Sequence, residues 1–340
     1  MRVREIGAGG ASVAVVGCGD VSLARAAARG LDSSEVERAL STAIELGVGL
    51  IDVAADADTL KLVGNTVRRL RARDRVVVAT RVPPRTAGTW ADALSQALPT
   101  HHVVEQVDAA LRASRLDVIG LAQLPLAPEF RDARVAWPEL LGTCAQLVHD
   151  GKVQRWGAII EEVADADAAE KLADGDWLAS AQVTFSVCTR EAGVLIDRFA
   201  ARKVSVLARR VLAGGALAGE LGPGVKLTLR DDRRALDDAA LVKIAVGAAE
   251  LAALVSHIPP AARSCVPARA RLDTIAARRP AAVECATLAE LALRYAIDRA
   301  GVTCALVRLH RHAHVLPAVA AAVAAPLSTE LRKRLDDVDI

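Results

Sequence analysis

Eight short apolar runs, separated by amphipathic stretches, constrain this chain more than any other feature. They are Val13–Gly17, Gly49–Ala54, Arg75–Val82, Val118–Leu124, Trp156–Ile160, Ala181–Val187, Val204–Arg210 and Val302–Val307. None shows the polar alternation of a half-solvated sheet, so each reads as a strand of a parallel sheet covered on both faces. The stretches between them have helical spacing: Leu60–Arg73, Val103–Arg115, Pro138–Asp150, Glu191–Arg202, Leu236–Ser256 and Thr287–Arg299. An earlier one starts at a capping box of Ser34 and Glu37, carries Val36, Leu40 and Ile44 on one face, and ends at Gly47. Eight strand–helix units imply a (β/α)8 barrel.

Composition agrees with a buried core and narrows the partners. Of 340 residues, 52% are apolar but only 2% aromatic, so alanine, valine and leucine fill the interior. Lys+Arg 43 against Asp+Glu 41 leaves a net charge of +2. That balance supports no steering toward nucleic acid or membrane, and the scarcity of aromatics argues against a base-stacking surface. The uncharged run Val315–Thr329 contains Pro317 and Pro326 and is too short to span a bilayer. Six cysteines, at 18, 144, 188, 265, 285 and 304, have no close pairing and read as reduced, buried residues of a cytoplasmic protein. Arg2 and Arg4 before a glycine-rich apolar stretch imitate a secretion signal only weakly. We expect one domain over 1–340, with a long insertion at about 218–284 that holds Gly222-Pro223-Gly224, Pro259-Pro260 and Arg278-Arg279-Pro280.

The segment Val13-Ala-Val-Val-Gly17-Cys-Gly19-Asp-Val-Ser22 imitates a dinucleotide-binding loop. The third glycine is missing, and two helical stretches precede the next strand where such a unit has one. The expectation is two glycines in a strand-end turn.

Several segments, in order, resemble the aldo-keto reductases. Gly47-Val-Gly-Leu-Ile-Asp52-Val-Ala resembles the strand that ends in Asp-Thr-Ala in that family. Leu62-Val-Gly64, Thr80-Arg81-Val82, Leu111-x-x-Ser114-x-Leu116-Asp117 and Asp150-Gly-Lys-Val-Gln-Arg-Trp-Gly157 follow in register, as do Gln182, Leu212, Gly215, Gly219 and Leu291–Tyr295. The resemblance covers nearly the whole chain and implies a barrel of that type, with an N-terminal strand or hairpin over its bottom.

It also implies an active site that this chain has lost. Members of the family reduce carbonyls with a nicotinamide hydride. A tyrosine gives the proton, aided by a lysine–aspartate pair, and a histidine orients the carbonyl. Asp52 stands at the aspartate position, Ala57 at the tyrosine, Arg81 at the lysine, and Pro125 near the histidine with Gln123 beside it. An unaided phenol has a pKa near ~10, and an arginine stays protonated, so neither change preserves the chemistry. Tyr295, the chain's one tyrosine, falls in a helical stretch and reads as a packing residue. By resemblance, the carboxamide contacts fall on Ile159 and Ile160 and the nicotinamide-stacking residue on Arg209. The phosphate stretch falls on Arg308–His314, with Arg308 at a position where many members contact the 2′-phosphate. Gln182, Leu212 and Gly215 are retained.

Arg81, Arg209, Arg210 and Arg308 all end strands that converge on one mouth, where guanidinium forks would hold a carboxylate or phosphate. The alternative is that they bridge loop acids. Strand alternation lets only one of Arg209 and Arg210 face inward. Asp52 is expected to pair with Arg81. His310, His312 and His314 read as a basic turn rather than metal ligands. The expected function is therefore a non-catalytic or chemically altered aldo-keto-reductase-like protein, with residual NADP(H) or small-anion binding. The alternatives are a working NADP(H)-dependent oxidoreductase with a rearranged proton donor, and a scaffold for a protein partner.

Overall fold

In the computed structural model, which describes residues 1–85, 93–126, 130, 136–160, 177–220, 246–252, 254–255 and 284–338, the apolar runs close into a barrel. The eight parallel strands are β3 (Val16–Val21), β4 (Leu50–Val53), β5 (Val77–Arg81), β6 (Leu121–Leu126), β7 (Trp156–Ile160), β8 (Leu178–Thr184), β9 (Ser205–Arg209) and β10 (Val302–Val307). Each pairs with the next in sequence, and β10 returns to β3. Before them, β1 (Val3–Glu5) and β2 (Ser12–Ala14) form an antiparallel hairpin, as the resemblance implied. The run expected as one strand at Val13–Gly17 is thus divided between β2 and β3. The run at Val118–Leu124 enters the barrel only at Leu121 and continues through Pro125 to Leu126.

The described helices are α1 (Leu23–Ala28), α2 (Ser33–Glu45), α3 (Ala57–Arg69), α4 (Ala93–Ala97), α5 (Thr100–Ser114), α6 (Ala136–His149), α7 (Gly193–Ala201), α8 (Leu288–Asp298), α9 (His312–Val323) and α10 (Thr329–Asp336). The capping box expected at Ser34 and Glu37 is replaced by a cap two residues earlier. Asp32 accepts from Glu35 N at 2.8 Å, and Ser34 Oγ donates to the same carboxylate, which removes Ser34 from the capping position. Most of the insertion at 218–284 and of the helix expected at 236–256 lies outside the described residues; 246–252 are helical.

Alternation along each strand sorts the core into two shells. Ile51, Val53, Val78, Ala122, Leu124, Trp156, Ala158, Val206 and Ala305 face the helices. Leu50, Val77, Ala79, Leu121, Leu207, Cys304 and Leu306 pack inside the barrel with Ile6 and Val13 of the hairpin segment. The hairpin is tied there by Ser205 Oγ, which accepts from Gly7 N at 2.8 Å and donates to Glu5 O at 2.9 Å. Gly17 and Gly19 are not turn glycines. They lie in β3, where a Cβ on Gly17 would meet Cys304 Sγ at 3.0 Å and one on Gly19 would meet Leu306 Cβ at 2.8 Å. Interior crowding accounts for the false dinucleotide motif.

Tyr295 stacks on Phe185, with ring centroids 5.7 Å apart, on the outer helix α8. The Trp156 Nε1–H donates to Cys144 O at 3.0 Å and fixes α6 on β7, while Trp137 Nε1–H donates to Phe130 O. Trp90 and Cys265 lie outside the described residues; Cys18, Cys144, Cys285 and Cys304 are buried thiols, and Cys188 is half-buried. Among the described residues no helix is long and apolar enough to cross a membrane, and no three His, Cys, Asp or Glu side chains are grouped to hold a metal.

Candidate functional site

The alternation that points Leu50, Ala79, Leu121, Leu207 and Leu306 inward also decides what lies above them. Two residues further toward the strand C-termini come Asp52, Arg81, Gln123, Arg209 and Arg308. Gln182 shares this phase on β8, where it is paired with Leu207, and Ile159 is its partner on β7. The interior thus changes from apolar to polar toward the mouth.

Asp52 is the most buried acid of the mouth among the described residues, 2% exposed. Its Oδ1 accepts from Gln123 Nε2 at 3.0 Å and its Oδ2 from the Asp20 backbone N–H at 3.1 Å. Burial raises its pKa above the usual carboxylate value; Arg81 pulls the other way, and the negative Asp20 adds to the rise. The expected Asp52–Arg81 ion pair is not formed. Arg81 turns to Asp20 instead, Nη2 to Oδ1 at 3.4 Å. Backbone and amide N–H groups already serve both Asp52 oxygens, and Asp20 stands nearer the solvent end, where a guanidinium keeps more of its hydration.

Asp20 is the centre of the mouth's charge. Besides Arg81 it receives Arg25 Nη1, and Arg308 Nη2 at 2.8 Å. Its backbone is left-handed, φ 51°, which takes its side chain out of the strand alternation. The arginines expected to converge do so in part. Arg209 follows Leu207 in phase and is half-buried, whereas Arg210 is exposed, with φ 55°. Both readings of the cluster have a basis here: forks from separate strands meet, and an acid of the chain sits among them.

The remaining expected positions surround this centre. Leu212 is half-buried, and Gly214 and Gly215 turn the chain with φ 68° and 101°. His310 is buried; its Nε2 accepts from Ser22 N at 3.3 Å, and desolvation pushes its pKa down to about 4. It lies before α9, so it shares no helical face with His314, and His312 opens the helix. The His312 backbone N–H, in the first turn of α9, donates to Glu35 Oε1 at 2.9 Å. That bond holds the Glu35 carboxyl below its usual value. A carboxylate of α2 therefore occupies one donor of the helix end that the resemblance assigns to phosphate.

Sequence reading missed Asp20 and Arg25. The signal was present, an acid at the C-terminal end of a barrel strand, but merging β2 with β3 hid where that strand ended.

The aldo/keto reductase family profile matches residues 15–340. The chain belongs to the aldo/keto reductase family. Methylglyoxal reductase YeaE of Escherichia coli (strain K12) is 29% identical over 155 residues, 45% of this chain and 48% of that reductase, so the match spans about half of either protein. Among solved structures, the glycerol dehydrogenase AKR11B4 of Gluconobacter oxydans superposes with a TM-score of 0.70 at 19% identity, covering 98% of this chain and 94% of that one. The Klebsiella pneumoniae aldo/keto reductase in complex with NADP and acetate has a TM-score of 0.64 at 22% identity, with 99% and 95% covered. At these identities the solved members establish the barrel of this aldo/keto reductase and not its chemistry.

Proposed function

We propose that this family member has lost carbonyl reduction and uses its barrel mouth to bind an anion. One observation carries the reading: none of the eight barrel strands contains a tyrosine, a lysine or a histidine. In their place stand Asp52 held by amide donors, and guanidiniums gathered on Asp20. The charge of a guanidinium could act on a phenol only if one were there, and the tyrosine position, Ala57, is the exposed first residue of α3.

The nicotinamide end of the family's cofactor does not fit these residues. Ile159 and Ile160 are 1% and 2% exposed and offer no side-chain hydrogen bond to a carboxamide, and Ile160 faces the helices. Arg209 presents a charge where a stacking face is required. The phosphate end fits better, through the left-handed Gly214-Gly215 turn and Arg308. Solved relatives carry NADP, and any residual NADP(H) binding here is anchored at that end. Arg308 must then share its attachment to Asp20.

A second reading, a working NADP(H)-dependent reductase with another proton donor, draws on Asp52, whose burial favours the protonated carboxyl. Fluorescence titration with NADPH followed by a panel of carbonyls, methylglyoxal included, separates the two. We expect no turnover above background; turnover that disappears in Asp52→Asn would establish the second reading.

A further inference from the structure

Inside the mouth, two buried polar atoms have no partner among the described residues: Arg81 Nε and Gln123 Oε1. Gln123 is 0% exposed, so its carbonyl is far from bulk water, and an unmet hydrogen bond there is costly. Their arrangement is specific. Arg81 and Gln123 are direct partners across β5 and β6, on strands about 5 Å apart. Asp52 Oδ1 takes the Gln123 Nε2 hydrogen, which turns Oε1 of that amide away from Asp52. A guanidinium Nε–H in need of an acceptor, on an arginine whose Nη2 already reaches Asp20, thus lies one strand from a carbonyl in need of a donor.

We propose that the mouth binds a small 2-hydroxycarboxylate, its carboxylate on the Nε–Nη2 edge of Arg81 and its hydroxyl donating to Gln123 Oε1. This rests on the reading of the mouth as an anion site and names the anion. A carboxylate matches the guanidinium fork in a bidentate way. The hydroxyl on the adjacent carbon is the nearest donor such a ligand can offer. The interior of an eight-stranded barrel is nearly filled by its own side chains, which limits the ligand to a few carbons, with Ile159 against its alkyl end. The Arg81 guanidinium that holds the carboxylate stands one strand from the hydroxyl position, which disfavours the ammonium group of a 2-amino acid there.

Calorimetry on the full chain tests this with lactate, propionate, pyruvate and alanine as probes. Lactate and propionate differ by one hydroxyl, so lactate should bind about tenfold more tightly. Pyruvate should bind no better than propionate, since it offers only an acceptor to Gln123 Oε1. Arg81→Gln should abolish binding of both acids, and Gln123→Met should reduce lactate to the propionate level, with thermal midpoints confirming that each variant folds. If Gln123→Met does not fold, the wild-type ratio of lactate to propionate decides alone. Equal binding of lactate, propionate and phosphate, lost in Arg308→Ala, overturns the hydroxyl assignment and leaves the anion mouth standing. Alanine or pyruvate binding as tightly as lactate also overturns it. Binding of none of these carboxylates or of phosphate removes both the ligand and the anion mouth.

Discussion

A substitution at Asp52 distinguishes an ion pair from an amide-held acid. Breaking a buried ion pair by removing one partner typically costs about 3–5 kcal/mol. Here the partners are Gln123 Nε2 and the Asp20 backbone N–H, with the Gln182 amide beside them, so Asp52→Ala leaves buried donors without an acceptor. The cost should be about 1–3 kcal/mol, offset in part because a desolvated carboxylate is also removed. The pH dependence has a defined sign. Burial raises the folded-state pKa of Asp52 above its unfolded value, so the folded chain holds the proton more firmly. The associated stability is complete below the ordinary carboxylate range and is lost as pH rises through the raised value. The difference in thermal midpoint between wild type and Asp52→Ala should therefore be widest in acid and narrow toward neutrality. A gap that widens with pH would mean that Asp52 gains net stability as a carboxylate, through a partner stronger than these amides.

At the scale of elements, the α3–α5 crossing explains one residue of the family resemblance. A Cβ on Gly64 would lie 1.9 Å from Ser114 O and 2.7 Å from its carbonyl carbon, so the two helices approach at a distance only glycine permits. Alanine is the better helix former by about 1 kcal/mol, yet Gly64→Ala should destabilise the protein by more than that gain, because the obstacle is backbone. A denaturant midpoint unchanged or raised in Gly64→Ala would show that the helices separate at little cost. The same scale shows what could be read from sequence. Trp156–Ile160 and Val302–Val307 are strands with the expected bounds, because an apolar run flanked by polar or glycine residues leaves one solution. The first barrel strand was misplaced because β2 and β3 follow each other with only Val15 between them, and hydrophobicity does not change where the chain leaves the hairpin for the barrel. Arg81 and Arg308 were legible as mouth residues from their places at strand ends, and Asp52 and Gln182 from the family resemblance; the expected strand Ala181–Val187 had placed Gln182 near its start, whereas β8 runs Leu178–Thr184. Their pairing was not legible, since Asp20 joins the arginines through a left-handed backbone, φ 51°, that no local sequence motif announces.

For the whole molecule, the question is how a cofactor with two dissimilar ends would meet a mouth altered unequally at each. The adenine–phosphate end would find the Gly214-Gly215 turn and Arg308, in competition with two carboxylates of the chain, Asp20 on Arg308 and Glu35 on the first turn of α9. The nicotinamide end would find Ile159, Ile160 and the charge of Arg209. Most of any binding free energy should then come from the phosphate end, and 2′-phospho-ADP-ribose should bind nearly as well as NADPH. Glu35→Gln removes the charge that competes at α9, so it should tighten both ligands together, and Arg308→Ala should weaken both together. Calorimetry with the two ligands on the wild type and these two variants measures each expectation. NADPH binding far more tightly than the fragment would mean that the nicotinamide pocket works despite its residues, which would revive reductase chemistry. Binding of neither ligand to the wild type, with both binding to Glu35→Gln, would mean that the chain's own carboxylate has closed the cofactor site and that any ligand of the mouth reaches it without a nucleotide.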